Sequence, residues 1–243
     1  MLVTLALTGC GRIDFGAVAL AQTDAAPPDG SAPDGSGLQP LHQYSLNGTY
    51  NDDFGGPPLT GHGGVFVAGG YQFAVNQGLS VIGALPQSVY TVDIVFSFAD
   101  LASWKKILDY EGLTLDSGFY TFDGALQYVI VPGSDFITTQ VSFVVNAMAR
   151  VTLTRDATNQ VVAYRDGAPV PALRATGPTP PAVSPPTPFE FADPGRVAAL
   201  TGNTATFFID DTATGSGEAS AGLVRRIRIY DVALTAAQVA ASP

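Results

Sequence analysis

The chain has 243 residues, nearly half of them apolar and only 13% charged, which argues for a sizeable folded core and against global disorder. A net charge of −10 and a pI near 4.3 argue against nucleic acid, whose phosphates demand clustered Lys and Arg, and against adsorption to anionic lipid. Low charge with many Thr, Ser, Gly and Asn residues suits an exported β protein.

At the N-terminal end, the short apolar run Met1 to Gly9 finishes as Leu7-Thr8-Gly9-Cys10. The tetrad resembles the bacterial lipobox, which implies cleavage before Cys10, lipidation of its thiol and an acyl anchor in the membrane. Gly11 in place of Asp then implies the outer membrane; the plain alternative is a buried or chance cysteine. Residues 1–20 are read as signal and anchor region. Residues 21–40, rich in Pro, Gly, Ser and Asp, lack the apolar content to fold and are read as a flexible tether.

From residue 41 to 243 the signals are strand signals. His42 to Leu46 is a candidate first strand, followed by a polar loop from Asn47 to Gly56. Val89 to Phe98 alternates, with Tyr90, Val92, Ile94, Phe96 and Phe98 on one face and Thr91, Asp93 and Ser97 on the other, predicting a half-buried antiparallel strand. Trp104–Tyr110, Gly118–Phe122 and Ala125–Val131 follow at hairpin spacing, the last two joined through Asp123-Gly124. Val141 to Arg155 reads as one long β-rich run, and Gln160 to Arg165 closes at Asp166-Gly167. Half of the prolines lie in an insertion near residues 169–194, which is expected to be loop or extended edge, because proline donates no ladder hydrogen bond. It is either a simple insertion or a rim that touches a ligand. Phe207 to Asp211 predicts a strand and acidic turn, Gly222 to Asp231 a long strand, and Thr235 the N-cap of a short closing helix.

The C-terminal Arg-Ile-Tyr-Asp segment followed by Ala-Leu-Thr-Ala-Ala-Gln-Val resembles the end of bacterial LamG-like domains. Ser45 to Asp52, Gln77 to Ser80 and the pair Val151–Asp156 with Tyr164–Gly167 resemble other segments of that family, in the same order. The resemblance implies an all-β, concanavalin A-like jelly-roll sandwich of two antiparallel sheets with a short C-terminal helix. It implies an exported, lipid-anchored, lectin-like module that recognises carbohydrate or another cell-surface ligand without catalysis. A structural or adhesive protein-binding module is the alternative, and a glycoside hydrolase on the same fold a weaker one.

Hydrolysis on this fold needs two carboxylates flanking the scissile bond. The chain holds Glu111, Glu190 and Glu218, far apart and in no Glu-x-Asp-x-x-Glu pattern; Asp109 and Glu111 are the nearest substitute, read mainly as a polar strand end. His42 and His62 accompany no nucleophile elbow, and zinc ligands are too few. Calcium is the metal to consider, since hard cations take converging oxygens and related sandwich families carry rim calcium sites. Asp210, Asp211 and Glu218 flank one loop and are the candidate ligands; Asx-turn bonds are the alternative use of the two aspartates. For a sugar, polar loops around Tyr50, Tyr71 and Tyr120, with Asp52 and Asp53, are expected to supply a platform and acceptors. Trp104 is read as a packing residue or a stacking platform, and Arg226 and Arg228 as partners of sheet carboxylates, with an anionic ligand as the alternative.

Overall fold

Period-two alternation and left-handed turn residues lay the chain out as strands, and a computed structural model describes residues 38–131, 135–175, 187–188, 190–192 and 199–243. Cys10 and most of the tether lie outside the described residues. These form part of a compact unit, Pro33–Pro243; the other unit, Met1–Ala32, is wholly outside them.

The strands run β1 (His42–Tyr44), β2 (Thr60–Gly61), β3 (Val65–Val67), β4 (Gly70–Phe73), β5 (Leu79–Ile82) and β6 (Tyr90–Phe98). Next come β7 (Trp104–Asp109), β8 (Gly118–Phe122), β9 (Ala125–Val131), β10 (Asp135–Ser142), β11 (Ala149–Arg155) and β12 (Gln160–Arg165). The last are β13 (Ala168–Pro169), β14 (Pro171–Ala175), β15 (Thr187–Pro188), β16 (Glu190–Ala192), β17 (Thr204–Phe207) and β18 (Gly222–Tyr230), before helix α1 (Ala236–Ala241). All pairings are antiparallel and fall into two sheets. The first sheet runs β13-β12-β11-β6-β18-β4-β3, with β1 on β18 and β16 on β12; the second runs β15-β14-β10-β9-β8-β7-β17-β5-β2. This is the all-β sandwich that the strand pattern implies. Among the described residues no helix is long and apolar enough to cross a membrane.

Tyr90, Val92, Ile94, Phe96 and Phe98 face the core between the sheets. The opposite face of β6 differs from the half-buried expectation: Thr91 and Asp93 are buried as well, because arginines and the C-terminal segment cover them. Asp123-Gly124 turns β8 into β9 with positive φ at both residues, the geometry of a tight hairpin. The long run read from Val141 to Arg155 is broken at residues 143–148, where Asn146 takes a positive φ and Val144 and Val145 are exposed. The proline-bearing strands β13 and β15 sit at sheet edges, whereas β14, which begins at Pro171, departs from the loop-or-edge expectation and lies between β10 and β15. Thr235 caps α1 in a full capping box with Gln238, and Val239 is the buried anchor of that helix.

Candidate functional site

The outward face of the second sheet gathers the polar residues, and an irregularity in β7 puts them there. Lys106 pairs with Tyr120 and Leu108 with Phe119, so the strand bulges at Ile107. Ile107 and Leu108 both join the core, while Lys106 and Asp109 meet on the other side, Nζ to Oδ2 at 3.3 Å. Two loops cover this face. In the first, Asp109 Oδ1 accepts the N–H groups of Glu111 (3.0 Å) and Leu113 (2.9 Å). In the second, Asp210 closes the ring: its Oδ1 accepts Asp211 N–H (2.9 Å) and its Oδ2 accepts Glu218 N–H (2.7 Å). Thr212 N–H donates to Leu113 O (3.2 Å) and joins the loops.

Lys106 is the hub. Its fully buried ammonium donates to Asp211 Oδ2 (2.6 Å), Asp109 Oδ2 (3.3 Å) and Ser117 O (3.1 Å), and lies 4.6 Å from the Tyr120 ring centre. The Tyr120 hydroxyl, a single donor, has two carboxylate acceptors in reach, Asp116 Oδ1 (3.0 Å) and Asp211 Oδ2 (3.2 Å). Burial and the charges of Asp116, Asp211 and Glu218 push that phenol up, which keeps it protonated as a donor. Beside Tyr120 the half-buried Trp104 indole lies 5.5 Å from the Tyr120 ring and 4.8 Å from half-buried Phe122. An aromatic surface thus borders a carboxylate rim.

Glu218 is held up to about 7 from its ordinary 4.5, by burial first and then by Asp116, Asp210 and Asp211, with Lys106 opposing. Burial likewise raises Asp210. Between about pH 4.5 and 7 the folded state keeps a Glu218 proton that the unfolded chain has released, so stability from this group falls as pH rises through that window. Glu218→Gln is expected to remove that fall, gaining on the wild type in melting temperature from pH 5 to pH 8. Identical pH profiles for the two proteins would contradict the assignment.

The sequence-predicted residues separate into two places. Asp210, Asp211, Glu218 and Tyr120 come together around Lys106. Tyr50, Asp52 and Asp53 sit instead by the first sheet. Tyr50 is half-buried against Phe66 (4.6 Å) and Tyr71 (5.7 Å). Asp52 is buried, paired with His42 Nδ1 (2.7 Å), and accepts the N–H groups of Gln43, Phe54 and Gly56. Burial alone would raise its pKa, but these hydrogen bonds outweigh it and hold the carboxyl below its usual range. Asp52 is therefore a loop clamp. Asp53 is exposed and accepts from Ser45 Oγ (2.5 Å) and Gln43 Nε2 (2.8 Å).

The expectation of exposed loops around Tyr71 and Tyr120 is corrected: both are fully buried within β4 and β8, their hydroxyls taken by protein partners. Nor do Asp109 and Glu111 form a facing pair, since Asp109 accepts the N–H of Glu111 itself. Lys106 and Asp116 were not singled out. The available signal was a Lys-Lys pair inside an apolar strand run, where alternation puts one lysine on each face.

Calcium takes six to eight oxygens. Here both Asp210 oxygens and Asp211 Oδ1 are engaged by backbone N–H groups, and the point on which Asp109, Asp211 and Ser117 oxygens converge holds the Lys106 ammonium. Among the described residues no group of His, Cys, Asp or Glu has metal-binding geometry. The donor set does not fit a calcium ion.

No family model and no curated protein matches the chain. Solved structures do. A Trypanosoma rangeli sialidase in complex with 2,3-difluorosialic acid aligns at 15% identity and TM-score 0.57, over 83% of this chain and 32% of that one. Domain 4 of AbnA, a GH43 extracellular arabinanase from Geobacillus stearothermophilus, in complex with arabinotriose, aligns at 16% identity and TM-score 0.55, over 84% and 98%. The chain spans about a third of the sialidase and nearly all of the arabinanase domain. The likeness shows the shared all-β fold.

Proposed function

We propose that this chain is a non-catalytic, LamG-like module that recognises carbohydrate on the outward face of its second sheet. The observation that carries the reading is the half-buried Trp104–Phe122 pair packed against the Tyr120 ring, whose hydroxyl reaches Asp116: an apolar platform for a sugar ring on the face that also holds carboxylate acceptors. The whole-domain likeness to a domain solved with arabinotriose supports it at the level of fold. Titration calorimetry with arabinotriose and other neutral oligosaccharides tests it. Trp104→Ala is expected to weaken a detected interaction at least about tenfold, or ~1.4 kcal/mol, with the fold kept by circular dichroism. Unchanged affinity would move the site elsewhere. The same proposal includes acylation of Cys10 and an outer-membrane location, with the tether carrying the module away from the lipid; the mass of the mature N-terminus is its check.

One observation favours adhesive protein binding as the second reading. Edge strand β3 presents Val65 and Val67 at 60% and 38% exposure, beside a backbone edge that no strand among the described residues pairs.

A further inference from the structure

The carboxylate-rich rim raises the question of what neutralises it. Asp109, Asp116, Asp210, Asp211 and Glu218 crowd one face, and the cation among them is a side chain of the chain itself. A lysine ammonium has three N–H donors, and Lys106 places them on Asp109, Asp211 and Ser117 O, with the Tyr120 ring against it. Each partner belongs to a different part of the rim: Asp109 and Ser117 begin and end one covering loop, and Asp211 begins the other. Removing the charge would leave two buried carboxylates facing each other.

We propose that Lys106 is the resident cation of this rim, so that the loops are ordered by a side chain and without metal. A covalently attached cation has no dissociation equilibrium, so neither free calcium nor chelator changes the rim. Three oxygens converge on Nζ, half the number calcium needs, and an entering ion would have to expel a side chain with no exposed surface. This inference does not depend on the ligand being a sugar.

Thermal melting of the wild-type chain in millimolar calcium chloride and in excess EDTA is the test. The two midpoints are expected to agree within about 1 °C, whereas an ion bound at a hundredfold excess over its Kd would separate them by roughly 5–10 °C. Lys106→Met, similar in length but uncharged, is expected to lower the midpoint by about 10 °C in either buffer. A calcium-dependent rise of the wild type overturns the proposal, as does a Lys106→Met protein that melts with the wild type. If that variant is too unstable to melt, the wild-type comparison decides alone.

Discussion

Replacing Asp93 with alanine is expected to destabilise the fold by about 3–5 kcal/mol, a fall of roughly 10 °C in melting temperature. Asp93 is buried near the centre of β6, among three arginines. Arg150 Nε reaches its Oδ2 at 2.5 Å, Thr152 Oγ1 reaches the same oxygen at 2.6 Å, and Arg226 Nη2 lies 3.4 Å from Oδ1. Arg228, directly opposite in register on β18, turns to Gln43 Oε1 (2.7 Å) and Ser242 Oγ (3.2 Å). Burial and then the neighbouring Arg228 and Arg150 charges already lower the Arg226 pKa, against the pull of Asp93. Without Asp93, mutual repulsion would also loosen the C-terminal segment, whose carbonyls at Val239 and Ser242 the Arg150 guanidinium holds and whose Pro243 O accepts from Arg226 and Arg228. Adding Arg226→Met to Asp93→Ala should recover part of the loss. A single-variant loss below about 1 kcal/mol in denaturant unfolding would show that the cluster is solvated rather than paired.

Phe208→Ala is expected to cost a similar 3–5 kcal/mol, by a cavity rather than by charge. Phe208 is fully buried, 4.7 Å from Phe73, 5.2 Å from Phe96 and 5.8 Å from Phe98 on the first sheet, and 6.5 Å from Phe207 on the second. It enters this position through a left-handed backbone, φ 62°, a conformation a bulky residue holds only where packing compensates. Because Asp210 follows two residues later, losing the ring also frees one anchor of the rim loop. Phe208→Leu should recover more than half of the stability. Equal melting of Phe208→Ala and wild type would contradict the packing account.

That left-handed turn also marks where the sequence misleads. Phe-Phe-Ile-Asp-Asp reads as a strand because every residue is compatible with one, yet β17 ends at Phe207. Nothing local signals the turn; the demand comes from three phenylalanines on the other sheet. The bulge at Ile107 is hidden for the same reason, since two adjacent core residues break an alternation that residue types alone do not reveal. Lys106 finds Asp211 across 105 positions of sequence, beyond any spacing argument. By contrast, β6 was legible because its apolar face keeps period two over its whole length, the β8–β9 hairpin because Asp-Gly accepts positive φ at both turn residues, and the helix start because Thr235 is a favoured N-cap residue. Of the candidate site, the acidic loop was visible, but the lysine at its centre and the burial of Tyr120 were set by how strands pair.

Trp104 is the sole tryptophan of the chain, so its fluorescence reports the proposed platform without labelling. Titration with an oligosaccharide that calorimetry shows to bind should shift or quench the emission, saturating with the calorimetric Kd, and Phe122→Ala should weaken both signals together. A sugar that binds with unchanged tryptophan emission would contradict recognition on this face.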